Sequence, residues 1–229
     1  MPAPVIPHRF PDRRVAGRAL AWALSHYADR PRLQVLALPR GGVPVAYEVA
    51  QALHAPLDVL LVRKLGVPGQ PELAMGAIAE QGARVLNHDI IAELNIPPHV
   101  IEEVTVLEQT EIERRTRAYR GLNPPPELHD KTVILIDDGL ATGATMHAAV
   151  KCVRLQNLRW IAVAVPVASK AAVQMLRSVA DDVIAVMVIE PFYALSYWYE
   201  DFSQTSDDEV RRLLQASRLP STASSPENA

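Results

Sequence analysis

Short apolar runs alternate along the chain with segments whose apolar residues recur every three or four positions. The runs are typical of strands buried on both faces, and the periodic segments are typical of amphipathic helices. Predicted strands cover 33–38, 57–62, 74–80, 83–86, 133–136, 160–165 and 183–189. Predicted helices cover 12–28, 45–53, 97–120, 146–153, 170–179 and 207–214. Because the two kinds of element alternate, we predict an α/β fold with a doubly wound, mainly parallel sheet.

Proline and glycine mark the segments that interrupt this pattern. Residues 65–73 contain two of each and predict a mobile loop within a hairpin. Residues 216–229 are rich in Ser, Pro and Ala, and we predict that they form a disordered tail. The pattern predicts a single domain over residues 1–215, with a core over about 30–190.

Composition excludes several classes of protein. Hydrophobic residues make up 49% of the 229 residues, which is enough for a sizeable core, and the net charge of −3 gives no basic field for nucleic acid. A single cysteine, Cys152, excludes an internal disulfide and a cysteine-rich zinc site. No apolar run is long enough to cross a membrane, and the first residues lack the pattern of a secretion signal. We therefore expect a cytoplasmic protein.

The most informative stretch follows the predicted strand 133–136. Asp137 and Asp138 come directly after that strand, and the Gly- and Thr-rich loop 139–145 leads into the next helix. Such a loop presents backbone N–H groups and hydroxyls at the positive end of a helix, which suits a phosphate monoester. The two carboxylates suit the vicinal hydroxyls of a ribose or a divalent cation held through water. A plain surface turn with a helix cap is the alternative.

A second glycine loop follows the predicted strand 33–38. Gly41 and Gly42 allow close approach of the backbone to a ligand, and Arg40 adds a bidentate donor. Right-handed crossovers would place both glycine loops at the same sheet edge. Arg63 and Lys64 follow the next predicted strand and are further candidates for anion contacts at that edge. An ordinary turn and a solvated strand end remain the alternatives.

The order acid-acid-Gly-x-Ala-Thr-Gly-x-Thr after a buried strand closely resembles the phosphoribosyl pyrophosphate (PRPP) signature of type I phosphoribosyltransferases. The early Pro-Arg-Gly-Gly, the long arginine-rich helix and Trp-Tyr-Glu-Asp-Phe near the end make the chain most similar to the uncharacterised bacterial phosphoribosyltransferase group. The resemblance covers roughly residues 30–200 and is tight only at the signature.

This resemblance implies a glycosyltransferase of nucleotide metabolism. Such an enzyme uses PRPP and Mg²⁺ to transfer ribose 5-phosphate to a nitrogen nucleophile, expected to be a nucleobase, and releases pyrophosphate. The implied catalytic residues are Asp137, Asp138, Arg40, Arg63 and Lys64. The implied 5-phosphate site is Ala141, Thr142, Gly143, Ala144 and Thr145, and the implied pyrophosphate site is Arg40, Gly41 and Gly42. Asp137 and Asp138 would hold the metal through water or through the ribose hydroxyls.

Residues 190–215 contain half of the aromatic residues of the chain, and the resemblance implies that they form a hood with the N-terminal helix. Phe192, Trp198 and Asp201 are the candidates for holding the acceptor base. A satellite core or a dimer contact is the alternative for this segment, and we expect a homodimer. Two other functions stay open from the sequence: a protein that senses PRPP or a nucleotide without turnover, and a phosphosugar-binding domain with different chemistry. The identity of the acceptor is also open.

Overall fold

A computed structural model describes residues 8–218. The strands are β1 (Leu33–Ala37), β2 (Leu57–Val59), β3 (Val62–Val67), β4 (Gln70–Ala79), β5 (Arg84–Leu86), β6 (Thr132–Ile136), β7 (Trp160–Ser169) and β8 (Asp182–Ile189). The α-helices are α1 (Arg13–Ala23), α2 (Gly42–Ala52), α3 (His88–Glu93), α4 (Pro98–Arg120), α5 (Ala144–Arg154), α6 (Lys170–Leu176) and α7 (Asp207–Arg218). Five strands form a parallel sheet in the order β2-β1-β6-β7-β8. The predicted α/β fold with a parallel sheet is confirmed.

The central strands are buried on both faces because their side chains alternate between two hydrophobic clusters. In β6, Ile134 and Ile136 belong to one cluster, whereas Val133 and Leu135 belong to the other. Helices α1, α2, α4 and α7 supply the first cluster, and α5 and α6 supply the second. Helices therefore cover both faces of the sheet, which is the reason that its strands read as continuous apolar runs.

A three-stranded antiparallel sheet, in the order β3-β4-β5, packs beside the main sheet. The prediction of a loop over residues 65–73 was wrong, because β3 and β4 extend to a tight turn at Pro68 and Gly69. Gly69 adopts a φ of +80°, which suits a residue without a Cβ atom. The prediction that Arg63 and Lys64 follow the end of a parallel strand was also wrong, since both lie inside β3.

A buried ion-pair cluster joins this small sheet to the main sheet. The Arg120 guanidinium donates to Asp58 at 2.7 Å, to the Glu80 carboxylate and to the carbonyl oxygen of Val59. The second carboxylate oxygen of Glu80 accepts from the N–H of Leu61 at 3.0 Å. Arg120 therefore links β2 to Glu80, which follows β4, and through Glu80 to Leu61, which precedes β3. Burial raises the pKa of Glu80, although Arg120 opposes that effect.

Several boundaries differ from the sequence-based expectation. The short helix α3 was not predicted, and β7 continues past Pro166 to Ser169, because pairing with β8 resumes at Val167. A proline removes only one ladder donor from a strand. Helix α7 reaches Arg218, so residues 216–218 are helical; the rest of the predicted tail, 219–229, lies outside the described residues. Val210 and Leu214 place α7 in the main core rather than in the expected hood.

The single cysteine and the lengths of the apolar helices were also considered in the sequence. Cys152, which lies in the predicted helix 146–153, is buried in α5, and burial raises the pKa of its thiol to about 11. Across residues 8–218, no helix is both long and apolar enough to cross a membrane.

Candidate functional site

The two glycine loops leave the sheet at the same edge. Strands β1 and β6 are neighbours, and their last residues, Ala37 and Ile136, are paired. One residue later, the N–H of Leu38 donates to the carbonyl oxygen of Ile136 at 2.8 Å. From β1 the chain moves outward to β2, and from β6 it moves the other way to β7. Ligands of open α/β sheets bind at such a point of reversed strand order.

Glycine is required where the two loops touch. A Cβ atom on Gly41 would lie 2.0 Å from the Oδ2 atom of Asp138, and one on Gly42 would lie 2.7 Å from the carbonyl oxygen of Ile136. The loop 39–42 therefore lies directly against the acid pair. The Gly42 N–H, a predicted pyrophosphate donor, instead donates to the carbonyl oxygen of Leu38 at 3.1 Å. The Pro39–Arg40 peptide bond is cis.

The two aspartates have different surroundings. Asp138 is buried, and its Oδ2 atom accepts a 2.8 Å hydrogen bond from the Nε atom of Arg13 in α1. Asp137 is half-buried, and its Oδ1 atom accepts from the N–H of Asp138 at 2.8 Å. Burial and the neighbouring carboxylate raise the pKa of Asp137 well above its ordinary value. No motif distinguishes Arg13 from the arginines beside it, so its contact with Asp138 could not be predicted from the sequence.

The loop 139–145 forms an open cradle. At one end Leu140 pairs with β7, donating to the carbonyl oxygen of Val167 at 2.9 Å. Beside it, the hydroxyl of Ser169 donates to the carbonyl oxygen of Ala141 at 2.6 Å. Gly143 adopts a φ of +73° immediately before α5 begins. These contacts fix the loop at the start of the helix, and four of its residues remain exposed: Ala141, Thr142, Ala144 and Thr145.

Two of the predicted cations, Arg40 and Arg63, approach this edge, one from the loop after β1 and the other from β3. An Nη1 atom of Arg40 lies 3.7 Å from a carboxylate oxygen of Asp207 in α7. Arg63 donates to Glu108 of α4 at 2.6 Å, and it lines a cavity of about 30 Å³ together with Pro39 and Thr145.

Lys64 points to the other side of β3, because successive side chains of a strand face opposite ways. It is paired with Ala77, whose face packs against α5. Arg63 and Lys64 therefore do not face the same side of the hairpin.

Most arginines of α4 form ion pairs with glutamates of the same helix. Arg114 and Arg115 both contact Glu111 at 2.7 Å, and Arg117 lies 3.7 Å from Glu113. Arg115 also lines the small cavity beside Arg63, so it is the arginine of this group that borders the candidate site.

The aromatic segment after β8 lies against the acid pair and against the N-terminus. Leu195 is so close to Gly139 that a Cβ atom there would lie 2.2 Å from its Cδ1 atom. Phe192 and Trp198 are half-buried in a cluster that contains Phe10 and Tyr199. The structure thus places these two base-binding candidates in the satellite core that was their alternative.

Asp201, the third candidate for holding a base, is exposed. Its side chain accepts from the N–H of Ser203 at 2.8 Å, and that hydrogen bond lowers the pKa of its carboxyl. Its backbone N–H donates to the carbonyl oxygen of Pro11 at 2.9 Å. The N-terminal segment and the segment after β8 are therefore held together by backbone hydrogen bonds.

The acid pair suits a magnesium ion that arrives with a phosphorylated substrate. Within residues 8–218, no group of three or more His, Cys, Asp or Glu side chains could hold a metal by itself. Mg²⁺ commonly uses one or two carboxylates, keeps several waters and takes its other ligands from substrate phosphates. The half-buried Asp137 fits that donor set better than Asp138, whose carboxylate is engaged by Arg13.

Comparisons with known proteins show which family the chain resembles. The family model of the phosphoribosyl transferase domain matches residues 11–192. Two similar proteins come from Mycobacterium tuberculosis strains H37Rv and CDC 1551, and both are provisionally named phosphoribosyl transferases. Each is 43% identical to this chain over 201 residues, which are 88% of its length. The matched part is 45% of each relative, so the chain spans less than half of their length. The crystal structure of TT1426 from Thermus thermophilus is 41% identical, with a TM-score of 0.82 over 91% of this chain and 98% of that one.

Proposed function

The chain belongs to the phosphoribosyl transferase family, and on that premise we propose that it transfers ribose 5-phosphate from PRPP to a nitrogen nucleophile, a nucleobase, with release of pyrophosphate. One observation carries the proposal more than any other. The glycine loop after β1 touches the acid pair after β6, with Gly41 directly against Asp138. Two ligand-binding loops that meet at one sheet edge can hold opposite ends of a single phosphorylated sugar.

The phosphate groups would bind at the two loops. The 5-phosphate would lie in the cradle of residues 141–145, where exposed hydroxyls and backbone N–H groups stand at the start of α5. The pyrophosphate would lie at residues 39–41, near Arg40. Because Asp207 lies 3.7 Å from Arg40 in the structure, the pyrophosphate would compete with that carboxylate for the guanidinium. Arg63 or Lys64 would supply a second cation, and their opposite orientations mean that only one of them faces the ligand.

The ribose would lie between these loops, beside Asp137. Mg²⁺, when bound with PRPP, would neutralise charge on the departing pyrophosphate. In the reaction the bond from C1 to the pyrophosphate oxygen breaks, and its electron pair leaves with pyrophosphate. The lone pair of the acceptor nitrogen forms the new bond to C1, and the proton on that nitrogen passes to solvent or to the departing pyrophosphate. C1 carries positive charge as this happens, as in the cleavage of a glycoside. The carboxylate of Asp137 would stabilise that charge electrostatically.

The acceptor would lie on the side of the segment 190–203. Leu195 packs on Gly139, which brings this segment next to the acid pair. Phe192 and Trp198 contribute mainly to packing, and Asp201 is the candidate that remains exposed. We propose that this segment contacts the acceptor base, with Asp201 accepting hydrogen bonds from ring N–H groups. A homodimer remains our expectation from the sequence.

Sensing of PRPP without turnover is the second candidate function. The observation that favours it is that Arg40 and Arg63 lie against carboxylates of Asp207 and Glu108. A protein that releases no pyrophosphate does not need cations dedicated to it.

Calorimetry and a pyrophosphate-release assay test the proposal. We expect PRPP to bind in the presence of Mg²⁺ and pyrophosphate to be released with at least one member of a nucleobase panel. Asp137→Asn should reduce turnover at least a hundredfold. Asp130→Asn, which alters an exposed carboxylate paired with Arg32, is the matched control. Binding without release across the panel would support sensing, and absence of PRPP binding would contradict both functions.

A further inference from the structure

We infer that Arg13 is a positioning residue of the transfer reaction, which holds Asp138 in place as a wall of the site and leaves Asp137 as the acid that contacts the sugar. The inference rests on the proposed function. The signature implies that both aspartates contact the ribose or the metal, whereas this inference gives that role to Asp137 alone. It also makes the N-terminal helix α1, which contains Arg13, part of the site.

The surroundings of Asp138 leave little of its carboxylate for a ligand. Only 12% of its side chain is exposed, and Oδ2 accepts the hydrogen bond from Arg13. The same oxygen lies against Gly41, at the place where a Cβ atom would be 2.0 Å away. Because the carboxylate is enclosed by a guanidinium and a backbone, we infer that its role is to fill space rather than to bind the ligand. Its position then determines how closely the loop 39–42, proposed to bind pyrophosphate, can approach the ribose site.

Arg13 is held as firmly as the carboxylate that it contacts. Its Nη1 atom donates to the carbonyl oxygen of Ser203 at 2.7 Å, and its guanidinium lies 4.1 Å from the ring centre of Phe202. Only 11% of its side chain is exposed. A planar guanidinium with several directed donors can satisfy a carboxylate and a carbonyl oxygen at once and still stack on a ring, which a lysine ammonium cannot do.

The segment after β8 contacts Asp138 by two routes. The hydroxyl of Tyr199 donates directly to the Asp138 carbonyl oxygen at 2.6 Å, and Ser203 contacts the carboxylate through Arg13. Arg13 therefore connects two parts of the site: Asp138, which lies against the loop 39–42, and the segment proposed to contact the acceptor. Removing its charge would leave a buried carboxylate without a cation, and such a group moves toward water or takes up a proton.

Asp137 has the opposite character. Among the described residues, the only hydrogen-bond donor to its carboxylate is the backbone N–H of the next residue, and no cation forms an ion pair with it, although the charge of Arg13 acts on it from a distance. Its Oδ1 atom is 3.2 Å from the position of a Cβ atom on Gly42, so it lies beside the second glycine of the pyrophosphate loop. Asp137 therefore has acceptor capacity left for a ribose hydroxyl or a hydrated cation.

Steady-state kinetics on five variants test this inference: Arg13→Met, Arg13→Lys, Asp138→Asn, Asp137→Asn and the double variant Arg13→Met with Asp138→Asn. Arg14→Met is the matched control, because Arg14 is the next residue of α1 and pairs at 2.7 Å with Glu48 on the surface. Each variant is assayed for pyrophosphate release below its own unfolding temperature, so that loss of folded protein does not contribute.

We expect Arg13→Met to lower kcat/KM for PRPP at least tenfold, mainly through KM, and Arg13→Lys to recover part of the loss. Asp138→Asn should lose less than tenfold and Asp137→Asn at least a hundredfold. The double variant should resemble Asp138→Asn rather than Arg13→Met, since it no longer contains an uncompensated buried charge. Arg14→Met should match the parent.

Two results from the variants would overturn the inference. Unchanged kcat and KM in folded Arg13→Met would limit Arg13 to stability. Equal losses in Asp138→Asn and Asp137→Asn would mean that both acids contact the substrate. If the parent protein binds PRPP, either of these results contradicts this inference alone. If the parent protein binds no PRPP, the proposed function is contradicted and this inference with it.

Discussion

The hydroxyl of Tyr199 donates a 2.6 Å hydrogen bond to the backbone carbonyl oxygen of Asp138, a residue 61 positions earlier in the chain. Tyr199 is only 1% exposed and packs on Phe10, with ring centres 5.9 Å apart. Tyr199 therefore joins the aromatic segment after β8 to both the acid pair and the N-terminal segment. These contacts fix the position of the aromatic segment beside the candidate site.

Removing this hydroxyl should destabilise the protein. Tyr199→Phe leaves the Asp138 carbonyl oxygen buried without its donor, which costs ~1–3 kcal/mol of unfolding free energy. Urea denaturation of both proteins measures this difference. Tyr193→Phe is the control, because Tyr193 is 84% exposed and its variant should unfold at the urea concentration of the parent. Equal midpoints for Tyr199→Phe and the parent would contradict the contribution of the hydrogen bond.

The same residue predicts how stability depends on alkaline pH. Burial raises the pKa of Tyr199 above its ordinary value, so the folded protein keeps this proton more tightly than the unfolded chain does. Its contribution is complete below about pH 10 and is lost as the pH rises further. Burial also raises the pKa of Tyr27 and Tyr119 to about 12, so these residues add to the loss. We expect the Tyr199→Phe variant to lose stability less steeply above pH 10, as measured by denaturation at a series of pH values.

An alanine at Gly41 should disrupt ligand binding. Its Cβ atom would overlap the carboxylate of Asp138, so the loop or the carboxylate must move, at a cost of ~1–3 kcal/mol. Gly69→Ala is a control of similar cost, since its φ of +80° is unfavourable by ~1–2 kcal/mol but its Cβ atom would meet no other atom within 4 Å. Calorimetry should find PRPP binding greatly weakened in Gly41→Ala and unchanged in Gly69→Ala. Similar binding by both would exclude the close contact as a requirement.

The cradle hydroxyls should contribute separately to phosphate binding. Thr142→Val and Thr145→Val each remove one exposed donor, and a hydrogen bond to a charged group contributes ~1.5–3 kcal/mol. Ribose 5-phosphate should therefore bind roughly ten- to a hundredfold more weakly to either variant. Thr110→Val is the control, because the Thr110 hydroxyl donates to the carbonyl oxygen of Val106 within α4. A cradle variant that binds ribose 5-phosphate as tightly as the parent would count against this site.

The Arg120 cluster should have a large effect on stability. Arg120→Met leaves the carboxylates of Asp58 and Glu80 buried without their cation, and breaking such a buried pair costs ~3–5 kcal/mol. Arg117→Met, in an exposed pair with Glu113 on the same helix, should change stability by less than ~1 kcal/mol. Urea denaturation distinguishes the two expectations. Comparable shifts in both variants would mean that burial of the cluster has little energetic consequence.

The sequence predicted the main sheet because its evidence was local. Val133–Ile136 form a continuous apolar run, and such a run stays buried only between two layers of helices. The hairpin was harder to predict, since Gly66 and Pro71 are typical of loops, yet both lie in paired strands, with a shift of register on each side of Gly66. The sequence of the aromatic segment supported base binding and packing equally. The contacts of Trp198 with the cluster around Phe10, seen in the folded chain, favour packing.

The sequence by itself determined the alternation of strands and helices, the two glycine loops and the order of the signature, because each depends on neighbours along the chain. The tertiary structure decided which groups face one another across the site. Gly41 meets Asp138 because β1 and β6 are adjacent, and Arg13 meets Asp138 because α1 packs beside the segment after β8. A hydrogen bond or an ion pair between residues more than a hundred positions apart leaves no periodic pattern, so the different surroundings of Asp137 and Asp138 could be found only in the folded chain.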